Sequence, residues 1–80
     1  MSINIRVASK EDITVIQQIA KKSWAKTYES LLPVSVQEAY LNEDYSTEQL
    51  NYKLKTTYFF VAETENEIVG FANLFISERE

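Results

Sequence analysis

The spacing of apolar residues changes once along this chain, and that change constrains its fold more than any other feature. From Ile13 to Tyr28 apolar residues recur at every third or fourth position, which predicts a long amphipathic helix that ends at about Glu29. From Thr57 to Thr64 the period falls to two and aromatic and β-branched residues predominate, which predicts a strand. The combination of both periods in one chain favours an α+β fold.

Local signals place a first strand and both ends of the long helix. The segment from Ile3 to Ala8 alternates apolar and polar residues, as a half-buried strand does. Ser9 is a candidate N-cap, with Asp12 at the position where a capping box prefers Glu or Gln. Pro33 cannot continue a helix, so the segment around it separates the long helix from the next part of the chain.

Two complete capping boxes predict two short helices after the proline. Ser35 begins the first box and Ser46 begins the second. Tyr45 and Leu50 flank the second cap with the spacing of a hydrophobic staple. Leu50 and Leu54 are the expected inward positions of that helix.

The last third of the chain predicts a β-hairpin. Glu65 and Asn66 form the turn, since Asn tolerates a left-handed conformation, and a return strand runs from Glu67 to about Ile76. The predicted order is β-α-α-α-β-β, with three mainly antiparallel strands and the helices between the first two. Residues 1–80 are expected to form part of a single domain.

The return strand is apolar on both of its faces. Its apolar and small residues are Ile68, Gly70, Ala72, Leu74 and Ile76 at even positions and Val69, Phe71 and Phe75 at odd positions. Strands of this kind lie inside a sheet that is covered on both sides. The predicted helices cover one side, so we expect either part of a larger domain or a small domain that forms a homo-oligomer, most simply a dimer.

Composition excludes several classes of protein. The sequence contains no Cys and no His, which excludes disulfides, zinc sites built on these residues and a Ser-His catalytic pair. A net charge of −4 argues against nucleic-acid binding. No apolar run approaches the ~20 residues of a membrane span and the first residues lack the features of a signal peptide, so we expect a cytoplasmic protein with no membrane partner.

Five stretches are informative through their order and spacing: Ile5–Asp12, Ser23–Pro33, Tyr45–Leu50, Phe60–Glu63 and Glu67–Ala72. Together they resemble the N-terminal half of the GNAT N-acetyltransferases. Within that family the chain looks closest to bacterial members that act on small amines, including polyamines. The resemblance implies a larger mixed sheet, to which residues 1–80 contribute the first three strands.

The resemblance also implies acetyl-CoA as the cofactor, held by a glycine-rich turn that follows the next strand. Gly70 is the only glycine in the sequence, so no such turn can form here, and the cofactor-binding half of the domain is expected to be absent. The intact enzyme would transfer acetyl from acetyl-CoA to a small-molecule amine, and this chain alone would be inactive, without catalytic or cofactor-binding residues. The alternative is a small non-enzymatic module that oligomerises or binds a partner by strand addition.

Trp24 and Tyr28 are the candidate substrate-binding residues. They lie four positions apart at the end of the long helix, and in the family that the chain resembles the following loop borders the acceptor-amine site. Tyr28 is the stronger candidate, because a phenol that faces a cleft can bind an amine. Plain core packing is the alternative for both residues.

The middle of the chain is acidic. Five acids and no base lie between Lys26 and Lys53. Such an acidic rim would attract a cationic amine. The alternative is that Glu38 and Glu48 complement helix N-termini and that the other acids are solvated.

Overall fold

The computed structural model of the protein describes residues 2–75 and has the predicted α+β element order. The elements are β1 (Asn4–Val7), a 3-10 turn (Lys10–Asp12), α1 (Ile13–Thr27), α2 (Val34–Asp44), α3 (Thr47–Thr56), β2 (Tyr58–Thr64) and β3 (Glu67–Leu74). Ile76, which the sequence assigns to the last strand, lies outside the described residues. Among the helices of residues 2–75, none is long and apolar enough to cross a membrane.

The three strands form an antiparallel sheet in the order β1-β2-β3, as predicted. Ala62 in the central strand pairs with Ile5 on one side and with Gly70 on the other. The hairpin turn consists of Glu65 and Asn66, whose φ angles are 47° and 73°. Two successive left-handed residues match the twist of a two-residue hairpin, so the predicted turn is confirmed.

A register shift in the hairpin corrects the predicted face of Ile68. Ala62 pairs with Gly70, but the next pair joins Glu63 with Ile68, so the ladder passes over Val69. Simple alternation places Ile68 and Phe71 on opposite faces. Because the extra residue lies between them, Ile68 and Phe71 share a face, and both pack against the core.

The core lies between the helices and one face of the sheet. Ile16 of α1 and Leu50 of α3 are completely buried, and Phe59 and Val61 of β2 complete the contact from the sheet. Leu54 packs on this cluster from the inward side of α3, as predicted. These contacts fix α1 and α3 over the strand in the middle of the sheet.

The caps of α2 and α3 differ in how well the sequence predicts them. The Ser46 hydroxyl accepts a hydrogen bond from the Gln49 N–H at 3.1 Å, which confirms the cap of α3. The prediction that Ser35 caps α2 is wrong, since α2 begins at Val34 with Pro33 as its N-cap. The proline ring fixes φ of Pro33 at −60°, and ψ is extended at 151°. This is the geometry of an N-cap, and it occurs two residues before Ser35.

Asp12 joins the beginning of α1 to β1. Its Oδ2 atom accepts a hydrogen bond from the backbone N–H of Ser9 at 2.8 Å, so Asp12 does act as the capping partner of Ser9. Arg6 bonds to Asp12 and also donates from Nε to Oε1 of Glu63 in β2 at 3.0 Å. This network ties β1 to both the helix layer and the central strand.

The opposite face of the sheet is uncovered by the helices of residues 2–75. Val7 is 67% exposed, and Ile5, Tyr58 and Leu74 are each more than half exposed. Val7 pairs with Phe60 and Tyr58 pairs with Leu74, so these side chains point to the same side. We call this surface the open face (Ile5, Val7, Tyr58, Phe60 and Leu74).

Candidate functional site

Three aromatic rings meet where the C-terminal end of α1 lies beside α2. The ring centroids of Trp24 and Tyr28 are 4.6 Å apart, with an interplanar angle of 45°. Tyr40 of α2 stacks on Trp24, with centroids 4.5 Å apart and planes within 24° of parallel. The structure therefore brings together both residues selected from the sequence and adds a third. We call them the aromatic cluster (Trp24, Tyr28 and Tyr40).

The aromatic cluster is separate from the hydrophobic core. The buried core consists of Ala8, Ile13, Ile16, Leu50, Phe59 and Val61. Trp24 and Tyr28 are only half-buried and Tyr40 is 46% exposed. The three rings therefore lie outside the buried core and remain in part accessible to solvent.

The sequence explains why Trp24 and Tyr28 meet and why Tyr40 was missed. Residues four apart on a helix lie on the same side, which places Trp24 next to Tyr28. Tyr40 reaches Trp24 only because α2 turns back along α1 after the loop at Pro33. Helical spacing within one segment does not report a contact of this kind.

Gln37 holds the loop between α1 and α2 in place, and sequence reasoning missed it. Its side chain is buried, and its Nε2 donates to the Leu32 carbonyl at 3.0 Å and to the Tyr28 carbonyl at 3.3 Å. The Tyr28 carbonyl also accepts the N–H of Leu31 and of Leu32, at 3.1 and 3.0 Å. One buried amide thus bonds to a carbonyl at the end of α1 and to a carbonyl of the following loop. The sequence of α2 has no clear apolar stripe, so at least one of its inward side chains is expected to be polar. This pattern could have indicated Gln37.

Two neighbouring clefts open between α1 and α2. The larger, of about 500 Å³, is lined by Gln17, Lys21, Glu38, Leu41, Asn42, Tyr45 and Ser46. The smaller, of about 240 Å³, shares Lys21, Glu38 and Leu41 with it and extends to Glu29 and Gln37. The helix pair that carries the aromatic cluster is therefore grooved and contains both acidic and basic side chains.

The five acids of the middle segment have different surroundings. Asp44 lies 3.7 Å from the ammonium group of Lys53, so this acid has a partner. Glu29 and Glu38 line the smaller cleft. Glu43 and Glu48 are exposed. Two of the acids thus border the smaller cleft between α1 and α2, and Asp44 is paired with a lysine of α3.

Tyr45 lies where the larger cleft meets the core. Its ring is 6.1 Å from that of Phe71 and 5.2 Å from the Lys53 ammonium nitrogen. Burial, with a smaller contribution from the charge of Asp44, raises the pKa of the Tyr45 phenol above its ordinary value. The phenol therefore stays neutral at physiological pH.

Comparison with known proteins gives two informative matches. No family model matches the chain. A curated relative, the spermidine N(1)-acetyltransferase of Thermoplasma acidophilum, is 30% identical over 82 residues, covering 95% of this chain and 51% of that protein. Among solved structures, the PaiA N-acetyltransferase from Thermoplasma acidophilum in complex with coenzyme A matches with a TM-score of 0.91 and 30% identity. That match covers 98% of this chain and 53% of the solved chain.

Sequence and fold lead to the same group of proteins. This chain spans about half the length of both of these proteins. The predicted resemblance and the predicted fold class are both confirmed. The chain has the fold of about half of a GNAT-like N-acetyltransferase, and it is similar in sequence to such enzymes over nearly its whole length.

Proposed function

We propose that the protein to which these residues belong transfers an acetyl group from acetyl-CoA to the nitrogen of a small-molecule amine. The observation that carries this proposal is the agreement, over 98% of the chain, with the fold of an N-acetyltransferase solved with coenzyme A. The similarity to a spermidine N(1)-acetyltransferase supports a polyamine as the acceptor. A non-enzymatic module that binds by strand addition is not favoured by these matches.

The described residues do not fit the pyrophosphate of coenzyme A. Such groups are held by glycine-rich turns whose N–H groups lie at a helix N-terminus. Gly70 is the only glycine in the sequence, and it lies within β3, paired with Ala62. We therefore assign no cofactor-binding and no catalytic residue to this chain, and we expect the 80 residues alone to be inactive.

The contribution of this chain would be to bind and orient the acceptor. An amine has to be held in a fixed orientation, and it has to lose a proton, before its nitrogen can attack an acyl group. Trp24 and Tyr28 offer ring faces and a phenol at one accessible place, 4.6 Å apart. We propose these two residues as acceptor-binding residues, with Gln37 keeping the carbonyl end of α1 and the following loop in position.

Acidic side chains support a cationic acceptor. Glu29 and Glu38 line the smaller cleft between α1 and α2, which also contains Lys21 and so has an excess of one negative charge. Negative charge in a groove raises the local concentration of a positively charged ligand and its rate of association. A polyamine, which is cationic at neutral pH, has the complementary charge.

Acetyl transfer to spermidine tests the proposed function. The purified product of the gene that encodes these residues would be assayed with acetyl-CoA and spermidine, with release of the CoA thiol as the signal. We expect Trp24→Leu and Tyr28→Leu to raise the KM for spermidine and to leave the KM for acetyl-CoA unchanged. Tyr52→Leu, which removes an exposed ring on α3, is the matched control and should change neither value. Absence of transfer to spermidine and to other primary amines would contradict the proposal.

We further propose that the 80-residue chain forms a homodimer. The support is the open face, whose large apolar side chains are uncovered within residues 2–75. Burial of such side chains against a second copy would be favourable by about 1.5–3 kcal/mol for each one fully removed from water. A cytoplasmic location and the absence of a nucleic-acid or membrane partner remain predictions from the sequence.

A further inference from the structure

We propose that Tyr40 is an acceptor-binding residue and that its ring, stacked on Trp24, forms a surface that binds an alkylammonium group through cation–π attraction. This inference rests on the proposed function and extends it in two ways. It adds a residue from α2 to the site, and it specifies which part of the acceptor the site recognises. The recognised part is a charged ammonium group with its attached methylene chain.

The geometry of the pair provides a suitable surface. The two rings are nearly parallel, with their planes 24° apart and their centroids separated by 4.5 Å. Trp24 has the rings of Tyr28 and Tyr40 within 4.6 Å of its centroid, whereas Tyr40 is 46% exposed, so the ring of Tyr40 is the part of the stack most open to solvent. Ammonium groups bind over the faces of aromatic rings, Tyr included, within about 6 Å of the centroid. Methylene groups pack on the remaining ring area.

The position of the pair at the end of α1 favours a cation. The last carbonyls of a helix carry partial negative charge, and the Tyr28 carbonyl is one of them. Glu43 lies three residues after Tyr40, on the same side of α2, and is exposed. Of the three lysines near the pair along α1, Lys22 and Lys26 line a different groove, formed by α1 and Val69 of β3, and Lys21 lines the clefts between α1 and α2.

The hydrophobic core does not depend on the stack of Tyr40 on Trp24. The buried cluster that joins the helices to the sheet is complete without any of the three aromatic rings. Contact between α1 and α2 is provided next to the stack by the buried Gln37, which bonds to the Tyr28 and Leu32 carbonyls. The ring of Tyr40, which is 46% exposed on α2, is therefore suited to contact with a ligand.

Fluorescence of Trp24 measures binding to this surface directly. Trp24 is the only tryptophan in the chain, so its emission comes from the stack itself. The 80-residue chain would be titrated with spermidine and, separately, with 1,8-octanediol, an uncharged chain of similar length. Three variants with the same net charge would be compared: Tyr40→Leu, Tyr40→Phe and the control Tyr52→Leu, whose ring is 63% exposed on α3. Circular dichroism would verify that each variant is folded.

We expect saturable binding of spermidine and no response to the diol. Tyr40→Leu should raise the dissociation constant by about threefold to thirtyfold, the range of a cation–π contact. Tyr40→Phe and Tyr52→Leu should bind as the wild type does, because the first keeps the ring and the second lies elsewhere. Wild-type affinity in folded Tyr40→Leu, an equal response to the diol, or no saturable response in the wild type would each overturn the inference.

The acetylation assay separates this inference from the proposed function. If the enzyme acetylates spermidine and Tyr40→Leu leaves the KM for spermidine unchanged, the role of Tyr40 is disproved and the proposed function stands. If spermidine binds at Tyr40 and neither spermidine nor other primary amines are acetylated, the proposed function fails and the cation-binding surface stands.

Discussion

The guanidinium of Arg6 donates two hydrogen bonds to the carboxylate of Asp12, from Nη1 to Oδ2 at 2.9 Å and from Nη2 to Oδ1 at 3.0 Å. Paired bonds between planar groups are stronger and more directional than a single ionic contact. Arg6 belongs to β1 and Asp12 directly precedes α1, so the pair fixes the first strand to the first helix. Asp12 is buried, so loss of Arg6 would leave an unpaired charge in a poorly solvated position.

The Arg6–Asp12 pair predicts a loss of stability in acid. Hydrogen bonds from Arg6 lower the pKa of Asp12 below its ordinary value of 3.8. A group whose pKa is lower in the folded state contributes stability that is present above the unfolded pKa and is lost as pH falls through the folded pKa. We expect the free energy of unfolding of the wild type to fall as pH decreases below 3.8. The decrease should be smaller in Asp12→Asn, which should already be about 1–3 kcal/mol less stable at neutral pH.

Urea denaturation across this acidic range measures the effect. Asp44→Asn is the matched control, because Asp44 is half-exposed and its Lys53 partner lies at the longer distance of 3.7 Å. The control should follow the wild-type pH dependence. If Asp12→Asn and Asp44→Asn show the same pH dependence, the Arg6–Asp12 pair does not contribute as proposed.

Removal of the amide donor of Gln37 is predicted to lower the free energy of unfolding. Gln37→Glu keeps the shape of the side chain but directs oxygen atoms at the carbonyls of Tyr28 and Leu32, which then lose a donor. We expect the free energy of unfolding at neutral pH to fall by about 1–3 kcal/mol. The Trp24 emission should also shift, because the loop that Gln37 holds follows the aromatic cluster. Gln18→Glu, an exposed position on α1, is the control, and an equal effect of the two changes would contradict the role of Gln37.

Leu50 and Trp24 are predicted to differ in their contribution to stability. Leu50 is completely buried in the core, so Leu50→Ala should cost about 2–5 kcal/mol. Trp24 is half-buried outside the core, so Trp24→Ala should cost less, about 1–3 kcal/mol from partial burial and its ring contacts. Denaturation followed by circular dichroism measures both, because Trp24→Ala removes the fluorophore. A larger loss for Trp24→Ala would show that the aromatic cluster is part of the core.

The open face predicts self-association of the 80-residue chain. Val7→Lys places a charge on this face, in the edge strand β1 and next to Phe60, and should convert the dimer to a monomer without loss of the fold. Val36→Lys, at a position that is 48% exposed on α2, is the control and should leave the dimer intact. Phe71→Lys is unsuitable as a test, since Phe71 packs on the core. Sedimentation equilibrium decides the question, and a folded wild-type monomer at hundreds of micromolar would contradict the proposal.

Local chemistry made several elements predictable. The Ser46 cap, the Glu65–Asn66 turn and the inward residue Leu50 each depend on residues within a few positions of one another. The prediction failed for Ser35 because two capping signals competed there, and the fixed φ of Pro33 prevailed over a serine hydroxyl. Sequence patterns alone do not rank such signals.

The candidate site was only partly predictable, since its members come from different helices. Trp24 and Tyr28 were accessible to periodicity, because they are four residues apart on α1. Tyr40 and Gln37 depend on how α2 packs beside α1, and no spacing within α2 reports that contact. Their part in the candidate site follows from the packing of α2 beside α1, which only the structure shows.

The shifted register of the hairpin allows β3 to lose one particular residue without a change in the faces of the others. Deletion of one residue from a strand normally turns every following side chain to the other side of the sheet. Val69 is the residue that the ladder passes over between Gly70 and Ile68. Without Val69, Ile68 would pair next to Gly70 in regular alternation and would still face the core. Position 69 is therefore the place in β3 where a single codon can be lost while every other side chain of the hairpin keeps its present side.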